Sequence, residues 1–165
     1  MRSFADINIM AVFSVKFRYG VIHSSWRERL FSVIGQTLTE MDGVKPICIG
    51  GAKDHVHVLF STRGNIPEEE IIRKIKTEST LWINANRLTR GRFAWQRGGA
   101  RISYSHSAIP SVIKYIENQE EHHRYISFRE ELEKFYKSIG YEPTKYDYPE
   151  DLQDDDACTR GERVI

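Results

Sequence analysis

Alternating hydrophobic and polar positions predict four strands along the chain. Residues 6–17 (DINIMAVFSVKF) alternate and are rich in β-branched and aromatic side chains, which is typical of a strand. The same character marks three later segments, namely residues 44–50, residues 55–61 and residues 93–107. Gly50 and Gly51 open a turn between the second and third segments, which predicts a hairpin. Gly98 and Gly99 interrupt the fourth segment.

Apolar residues at helical spacing predict four helices. Their expected ranges are residues 25–42, residues 67–86, residues 109–123 and the segment from Ser127 to Gly140. Pro67 and the three glutamates after it are typical of a helix start, because proline needs no amide partner there and acids favour the positive end of the helix dipole. Ser127 and Glu130 form the capping-box pattern S-x-x-E at the start of the last helix.

The predicted order, β-α-β-β-α-β followed by two helices, indicates an α+β fold. The first six elements match the ferredoxin-like order, in which an antiparallel sheet carries its helices on one face. We expect one domain over residues 1–148, with the two additional helices at its C-terminal end. Residues 149–165 are acidic and almost free of apolar side chains, so we expect them to form a mobile tail.

The composition places the chain among globular proteins. Of its 165 residues, 40% are hydrophobic and 12% are aromatic, which excludes a disordered chain. No apolar run approaches the ~20 residues that a membrane span requires, and the N-terminus MRSFADINIM lacks the regions of a signal peptide. Cys48 and Cys158 are too few for a disulfide framework or a cysteine metal site. We therefore expect a cytoplasmic protein without a membrane anchor.

Basic residues cluster in one segment, although the net charge of the chain is only +1. Residues 73–101 contain eight lysines and arginines against the single acid Glu78, whereas residues 147–165 contain seven acids and two bases. A solvated helix face and loop would explain any one of these charges, but a cluster of eight favours a polyanion partner such as a phosphate backbone. The arginines that we expect to contact such a backbone, as a group, are Arg87, Arg90, Arg92, Arg97 and Arg101.

Two histidines lie one residue apart in the segment GGAKDHVHVLF. Because strand side chains alternate between faces, His55, His57 and Leu59 should point one way, and the valines between them the other. Two residues of strand separate the histidine Cα atoms by ~6.6 Å, so both imidazoles can reach one metal ion. For this the histidine face must be open to a cleft. Two histidines on a solvated sheet face are the alternative interpretation.

A tyrosine and an amide share one face of the helix predicted in the segment KYIENQEEHH. Tyr115 and Gln119 are four residues apart, so they lie one above the other at the border of the apolar stripe. From that border they could overlook a cleft, although a half-buried tyrosine beside a polar neighbour is the simpler interpretation. His122 lies close to the same face.

Together these residue types point to phosphodiester cleavage. Tyrosine can be a covalent nucleophile, but its free pKa of ~10 leaves it protonated at neutral pH. A metal ion beside the target phosphate would withdraw charge from it and orient it for attack. Two imidazoles and an amide oxygen leave coordination positions open for phosphate oxygens, and their softness argues for zinc, manganese or a similar ion over magnesium.

In these blocks the sequence resembles the single-tyrosine HUH transposases, which are encoded by small insertion sequences of the 200/605 class and by their REP-associated relatives. The resemblance runs from about residue 6 to residue 148 and rests on VFSVKFR, GGAKDHVHVLF, FAWQRGG, YIENQEEHHR and FREELEKF in that order. HUH denotes histidine, a bulky apolar residue and histidine, which here are His55, Val56 and His57. The resemblance places the nucleophile at Tyr115 and the third metal ligand at Gln119.

The resemblance implies a metal-dependent transposase that acts on single-stranded DNA. Members of the family bind imperfect hairpins at the element ends, and the tyrosine becomes linked to the 5′ phosphate while a 3′ hydroxyl is released. That hydroxyl later attacks another phosphotyrosine linkage, so strands are joined without ATP. The metal is Mg²⁺ or Mn²⁺, and manganese agrees with both lines of reasoning. Members are homodimers whose sheets join, and the tyrosine helix of one chain can complete the histidine site of the other.

Two alternatives belong to other functional classes. One is a domesticated protein that binds nucleic-acid hairpins without transposition, and the other is a ferredoxin-like metal-sensing dimer in which Tyr115 only packs.

The chain also departs from the family in having Gly99 where a tyrosine usually follows the WQ-x-G motif, and in its acidic tail. Asp54 could orient a histidine or cap the hairpin turn, and the sequence slightly favours the turn.

Overall fold

Four strands form one antiparallel sheet. The computed structural model describes residues 3–124, 126–145 and 147–148. The strands are β1 (Ile7–Ser14), β2 (Val44–Gly51), β3 (His55–Thr62) and β4 (Ala100–Tyr104). Their order across the sheet is β2-β3-β1-β4, with β1 and β3 in the centre. This arrangement confirms the predicted α+β fold with its ferredoxin-like order of elements.

Five α-helices accompany the sheet in the described part of the chain. They are α1 (Ser24–Thr39), α2 (Glu68–Ala85), α3 (Ile109–Glu117), α4 (Gln119–His122) and α5 (Phe128–Ser138). At the start of α5, the Ser127 hydroxyl accepts a hydrogen bond from the Glu130 amide and the Glu130 carboxylate accepts one from the Ser127 amide, as the capping-box pattern predicts. None of these helices is both long and apolar enough to cross a bilayer. The expected acidic tail, residues 149–165, lies outside the described residues.

The first face of the sheet packs against α1 and α2. Val56, Val58 and Phe60 of β3 all point to this side and are fully buried. They meet the apolar stripes of the two helices, including Leu30 of α1 and Ile75 of α2. Burial of a side chain of this size contributes roughly 1.5–3 kcal/mol. This layer therefore supplies the main hydrophobic core.

The second face of the sheet is covered by the C-terminal helices. Met10, Val12 and Leu59 point to this side. They form a second, smaller core with two residues of α3, Val112 and Ile116, and two residues of α5, Phe128 and Leu132. Because β3 alternates strictly, the face that carries Leu59 also carries both histidines, as the sequence predicts.

The helix predicted over residues 109–123 is in fact divided. The backbone of Asn118 has φ −97° and ψ 19°, and this residue separates α3 from α4. Asparagine tolerates such a conformation better than most residues because its side chain competes with the helix for backbone hydrogen bonds. The change of direction buries Gln119 almost completely, at 1% exposure, whereas a continuous helix would leave it at the border of the apolar stripe.

Gly50 and Gly51 lie at the end of β2 and not in the turn where the sequence placed them. A Cβ atom on Gly50 would lie 2.6 Å from both the carbonyl oxygen and Cγ2 of Ile116 in α3. A Cβ on Gly51 would lie 2.3 Å from the His55 carbonyl oxygen. The missing side chains thus allow α3 to lie directly on β2 and the hairpin to close tightly.

We expect Gly50→Ala to destabilise the protein by about 1–3 kcal/mol, because the added methyl group must push the backbone of α3 away from the sheet. The measurement is the free energy of unfolding in urea. Gly35→Ala is the matched control, since its Cβ would only touch Cδ1 of Ile49 at 3.5 Å. Alanine in that helix interior should stabilise by roughly 0.5–1 kcal/mol. Equal effects of the two substitutions would contradict this account of the packing of α3.

Candidate active site

The two histidines of β3 are buried beneath the C-terminal helices. His55 is 0% exposed and His57 is 1% exposed, so the alternative of two histidines on a solvated sheet face is wrong. A cavity of about 450 Å³ lies beside His57, which agrees with the expected cleft at this face. Its walls include Tyr115 of α3 and Glu131 of α5. The sequence predicted which face the histidines share, but not the helix that covers them.

A chain of buried hydrogen bonds orients His55. Its Nδ1 lies 2.9 Å from Oδ1 of Asp54, and Oδ2 of Asp54 accepts hydrogen bonds from Nε and Nη2 of Arg18 at 2.9 and 2.5 Å. Arg18 belongs to a short 3₁₀ turn in which it and Phe17 have positive φ values of 53° and 57°. Phe128 of α5 stacks on the His55 ring at 4.3 Å. The carboxylate therefore holds the Nδ1 edge of the His55 ring, and the Phe128 ring covers one of its faces.

The Asp54 carboxylate is held in its charged form. Burial alone would raise its pKa, but the hydrogen bond and charge of His55 and the Arg18 guanidinium outweigh burial and keep the pKa well below its usual range. A carboxylate that accepts from Nδ1 leaves Nε2 of a neutral imidazole free to act as a ligand. Asp54 thus orients His55, whereas the sequence slightly favoured a role in the turn.

Gln119 brings a third polar group to the histidine pair. Its Oε1 lies 3.3 Å from Nε2 of His55 and 2.8 Å from Nε2 of His123, and its Nε2 donates to the Tyr115 carbonyl oxygen at 3.3 Å. The structure therefore places His55, His57 and Gln119 together, as the sequence predicts. His123, which was not among the predicted metal ligands, joins them.

Glu131 of α5 completes this group of side chains. One carboxylate oxygen lies 3.9 Å from Nε2 of His57, and the other lies 3.3 Å from Nε2 of His123. The ligand atoms of His55, His57, His123 and Glu131 all lie within 4.8 Å of one another. Histidine and carboxylate side chains converging at this spacing form a donor set that fits a divalent ion.

Burial controls the protonation of this group. It lowers the pKa of His57 well below the usual histidine value, and it lowers the pKa of His123 to about 4. Burial also raises the pKa of Glu131 to about 7. Both of these imidazoles are thus neutral near pH 7, and the neutral form is the one that binds metal ions.

Sequence reasoning missed Glu131, because the pattern of α5 gives only a weak signal for it. At 100° per residue Glu131 lies about 60° from Phe128 and about 100° from Leu132, at the border of the apolar face. Acidic residues are mostly exposed, and one at such a border needs no buried partner. The pattern FREELEKF therefore did not show that Glu131 turns towards the histidines.

Tyr115 lies next to His57 of the same chain. The two rings meet edge to face with their centroids 5.5 Å apart, and the His122 ring lies 5.4 Å from Tyr115 on another side. Tyr115 is half-buried and lines the cavity beside the histidines. The Tyr115 ring and the His57 ring are therefore brought together within one molecule.

The predicted arginine group divides into two in the structure. Arg97 and Arg101 line a groove of about 830 Å³ together with Arg73 and Lys76 of α2. The other three, Arg87, Arg90 and Arg92, are exposed on the loop after α2 and do not line this groove. Both the groove and the cavity at Tyr115 are lined by Val12 and Ala100, which are paired between β1 and β4. The basic groove is thus adjacent to the histidine site across the edge of the sheet.

Residues 3–119 match the family described as "Transposase IS200 like". Two solved structures share the fold. A transposase candidate from Deinococcus radiodurans is 18% identical, with 72% of this chain and 95% of that chain covered and a TM-score of 0.57. A REP-associated tyrosine transposase bound to a REP hairpin is 15% identical, with 100% of this chain and 97% of that chain covered and a TM-score of 0.55. None of the curated proteins matches the chain significantly.

We expect Asp54→Asn to destabilise the protein by about 3 kcal/mol at pH 7, because it removes the buried carboxylate that pairs with Arg18 and accepts from His55. The effect should depend on pH. Since folding depresses the Asp54 pKa below its unfolded value of 3.8, the stabilisation is complete above about pH 4 and is lost as the pH falls through the folded-state pKa. The measurement is the free energy of unfolding in urea between pH 2 and pH 7.

The matched control is Asp42→Asn. Asp42 pairs with Arg63 at the surface, where the two side chains are 84% and 63% exposed. An exposed pair of this kind contributes about 0–1 kcal/mol. If Asp54→Asn cost no more than this control, the hydrogen-bonded chain from Arg18 to His55 would not have the stabilising role assigned to it.

Proposed function

We propose, from the premise that the chain belongs to the family of IS200-like transposases, that it cleaves and rejoins single-stranded DNA through a 5′-phosphotyrosine intermediate. The observation that carries this proposal is the proximity of Tyr115 to His57, with ring centroids 5.5 Å apart in a shared cavity. A tyrosine that only packs in a core would not need two buried imidazoles and a buried amide beside it. The alternative function, hairpin binding by a domesticated protein, is tested by the adduct experiment described below.

In the proposed reaction, Tyr115 is the nucleophile. Its Oη attacks the scissile phosphorus, the bond from phosphorus to the 3′ oxygen breaks, and the 3′ oxygen takes up a proton to leave as a hydroxyl group. The phenolic proton must pass to a base as the new ester bond forms. His122 suits this role. Its pKa is lowered, chiefly by burial, so the ring is unprotonated near pH 7 and can accept a proton. Its buried Nε2 has no hydrogen-bond partner among the described residues. Rejoining is the same exchange in reverse, with a 3′ hydroxyl attacking the phosphotyrosine.

His55, His57 and Gln119 are the proposed ligands of a divalent ion, Mg²⁺ or Mn²⁺. Such an ion would withdraw charge from the scissile phosphate and orient it. Asp54 holds His55 in the tautomer that presents Nε2. Because two of the three donors are imidazoles, Mn²⁺ suits the set better than Mg²⁺.

The proposed substrate is single-stranded DNA with hairpins. The likeness in fold to a REP-associated transposase bound to a REP hairpin supports this choice. A groove with positive charge lies next to the cavity of Tyr115 and is lined by Arg73, Lys76, Arg97 and Arg101. A DNA strand whose phosphates bind in this groove would extend to Tyr115. A homodimer is part of the proposal, with Tyr115 serving the histidines of its own chain or those of its partner.

We expect Tyr115→Phe to abolish the covalent adduct between the protein and hairpin DNA in the presence of Mn²⁺, because phenylalanine has no hydroxyl group. The adduct is measured by denaturing gel electrophoresis with labelled DNA. Tyr104→Phe is the matched control, since Tyr104 lines the same cavity and should leave the adduct intact. Binding without adduct in the wild type would favour the hairpin-binding alternative, and no binding would favour the metal-sensing dimer.

We expect His57→Ala to reduce cleavage at least about 100-fold while hairpin affinity changes little, because the affinity should come from the basic groove. The comparison variant is Arg97→Gln with Arg101→Gln, which should weaken hairpin binding several-fold and lower its salt dependence. Affinity is measured by fluorescence anisotropy at two salt concentrations. Loss of affinity and cleavage to the same extent in His57→Ala would contradict this separation of roles.

A further inference from the structure

Glu131 and His57 are buried without the partners that their polar atoms require. Both carboxylate oxygens of Glu131 and both ring nitrogens of His57 lack a hydrogen bond within the described part of the chain. A buried polar group without a partner costs roughly 1–3 kcal/mol, and a charged one costs more. Such a cost in two side chains that face each other, 3.9 Å apart, indicates that a further group belongs between them.

The contacts of His123 also indicate that a further group belongs between these side chains. Its Nδ1 donates to the carbonyl oxygen of Ile126 at 3.0 Å, so the neutral ring carries a lone pair on Nε2. That lone pair faces Oε1 of Gln119 at 2.8 Å and a carboxylate oxygen of Glu131 at 3.3 Å, which also carry lone pairs. Turning the Gln119 amide over would relieve one contact but would bring its oxygen towards the Tyr115 carbonyl oxygen. A cation satisfies all of these atoms at once.

We infer that Glu131 and His123 are ligands of the same divalent ion as His55 and His57, so that α5 closes the metal site with a carboxylate. This inference rests on the proposed function only for the presence of the ion, and it goes beyond the ligands that the family resemblance implies. The ion would then bind donors from β3, from the segment after α4 and from α5.

The donor set also selects the metal. Imidazole nitrogen suits first-row transition metals, whereas Mg²⁺ prefers oxygen ligands and retains several waters. A set of three imidazoles and one carboxylate, with the amide oxygen of Gln119 beside them, should therefore bind Mn²⁺ more tightly than Mg²⁺. The carboxylate adds the negative charge that neutral imidazoles and an amide do not supply.

The test is the affinity of the full chain for Mn²⁺, measured by isothermal titration calorimetry without DNA after removal of metals with a chelator. We expect Glu131→Gln and His123→Ala each to weaken Mn²⁺ binding at least about tenfold, because each removes a ligand. Glu133→Gln on the same helix is the matched control and should bind Mn²⁺ like the wild type. Mg²⁺, titrated in the same way, should bind the wild type at least about tenfold more weakly than Mn²⁺.

Thermal unfolding of the same variants separates a ligand from a structural residue. Without metal, Glu131→Gln should be at least as stable as the wild type, because its amide group can donate to the lone pair of His123. With Mn²⁺, the wild type should gain more stability than the variant, since a ligand that binds only the folded state stabilises it. A variant that unfolds more readily without metal and gains as much from Mn²⁺ would identify Glu131 as a structural residue.

The two proposals fail in different ways. Unchanged Mn²⁺ affinity in Glu131→Gln, with the Tyr115 adduct still formed by the wild type, overturns the inference and leaves the proposed function intact. This result would mean that a proton on the Glu131 carboxyl group relieves the contacts with His123 instead of an ion. Loss of Mn²⁺ affinity in Glu131→Gln, with no adduct formed by the wild type, supports the metal site and overturns the proposed reaction.

Discussion

The packing of the C-terminal helices on the second face of the sheet is the constraint on which the rest of the site depends. It removes His55 and His57 from water and places Tyr115 and Glu131 against them. Burial there lowers the pKa of His57 and raises the pKa of Glu131, whose carboxyl group must bind a cation or take up a proton. The electrostatic properties of the site therefore follow from the position of two helices more than from any single hydrogen bond.

Contacts on two sides fix the ring of the buried His55. From one side, the buried ion pair of Arg18 and Asp54 fixes the ring of His55, and it does so through a backbone turn with two residues at positive φ. From the other side, Phe128 stacks on the same ring and belongs to the helix that carries Glu131. The N-terminal turn and the C-terminal helix, which are far apart in sequence, thus determine the orientation of one side chain on the central strand.

Much of this arrangement could be read from the sequence, and the exceptions have a common cause. Periodicity gives the relations within one element, and it correctly placed His55 and His57 on one face of β3 and the capping box at the start of α5. It does not say which element lies opposite. The burial of the histidines and the convergence of His123 and Glu131 on them could not be predicted for this reason. The break at Asn118 was missed because neither glycine nor proline marks it. The position of Gly50 depends on a helix that periodicity does not place.

The interruption at Asn118 separates two parts of the site mechanically. Tyr115 belongs to α3, whereas Gln119 begins the next helical piece and is anchored to His55 and His123. In one continuous helix, Tyr115 and Gln119 would have to move together. Under the proposed reaction, a bend at Asn118 would allow α3 to move with a DNA strand linked to Tyr115 while Gln119 keeps its contacts with His55 and His123.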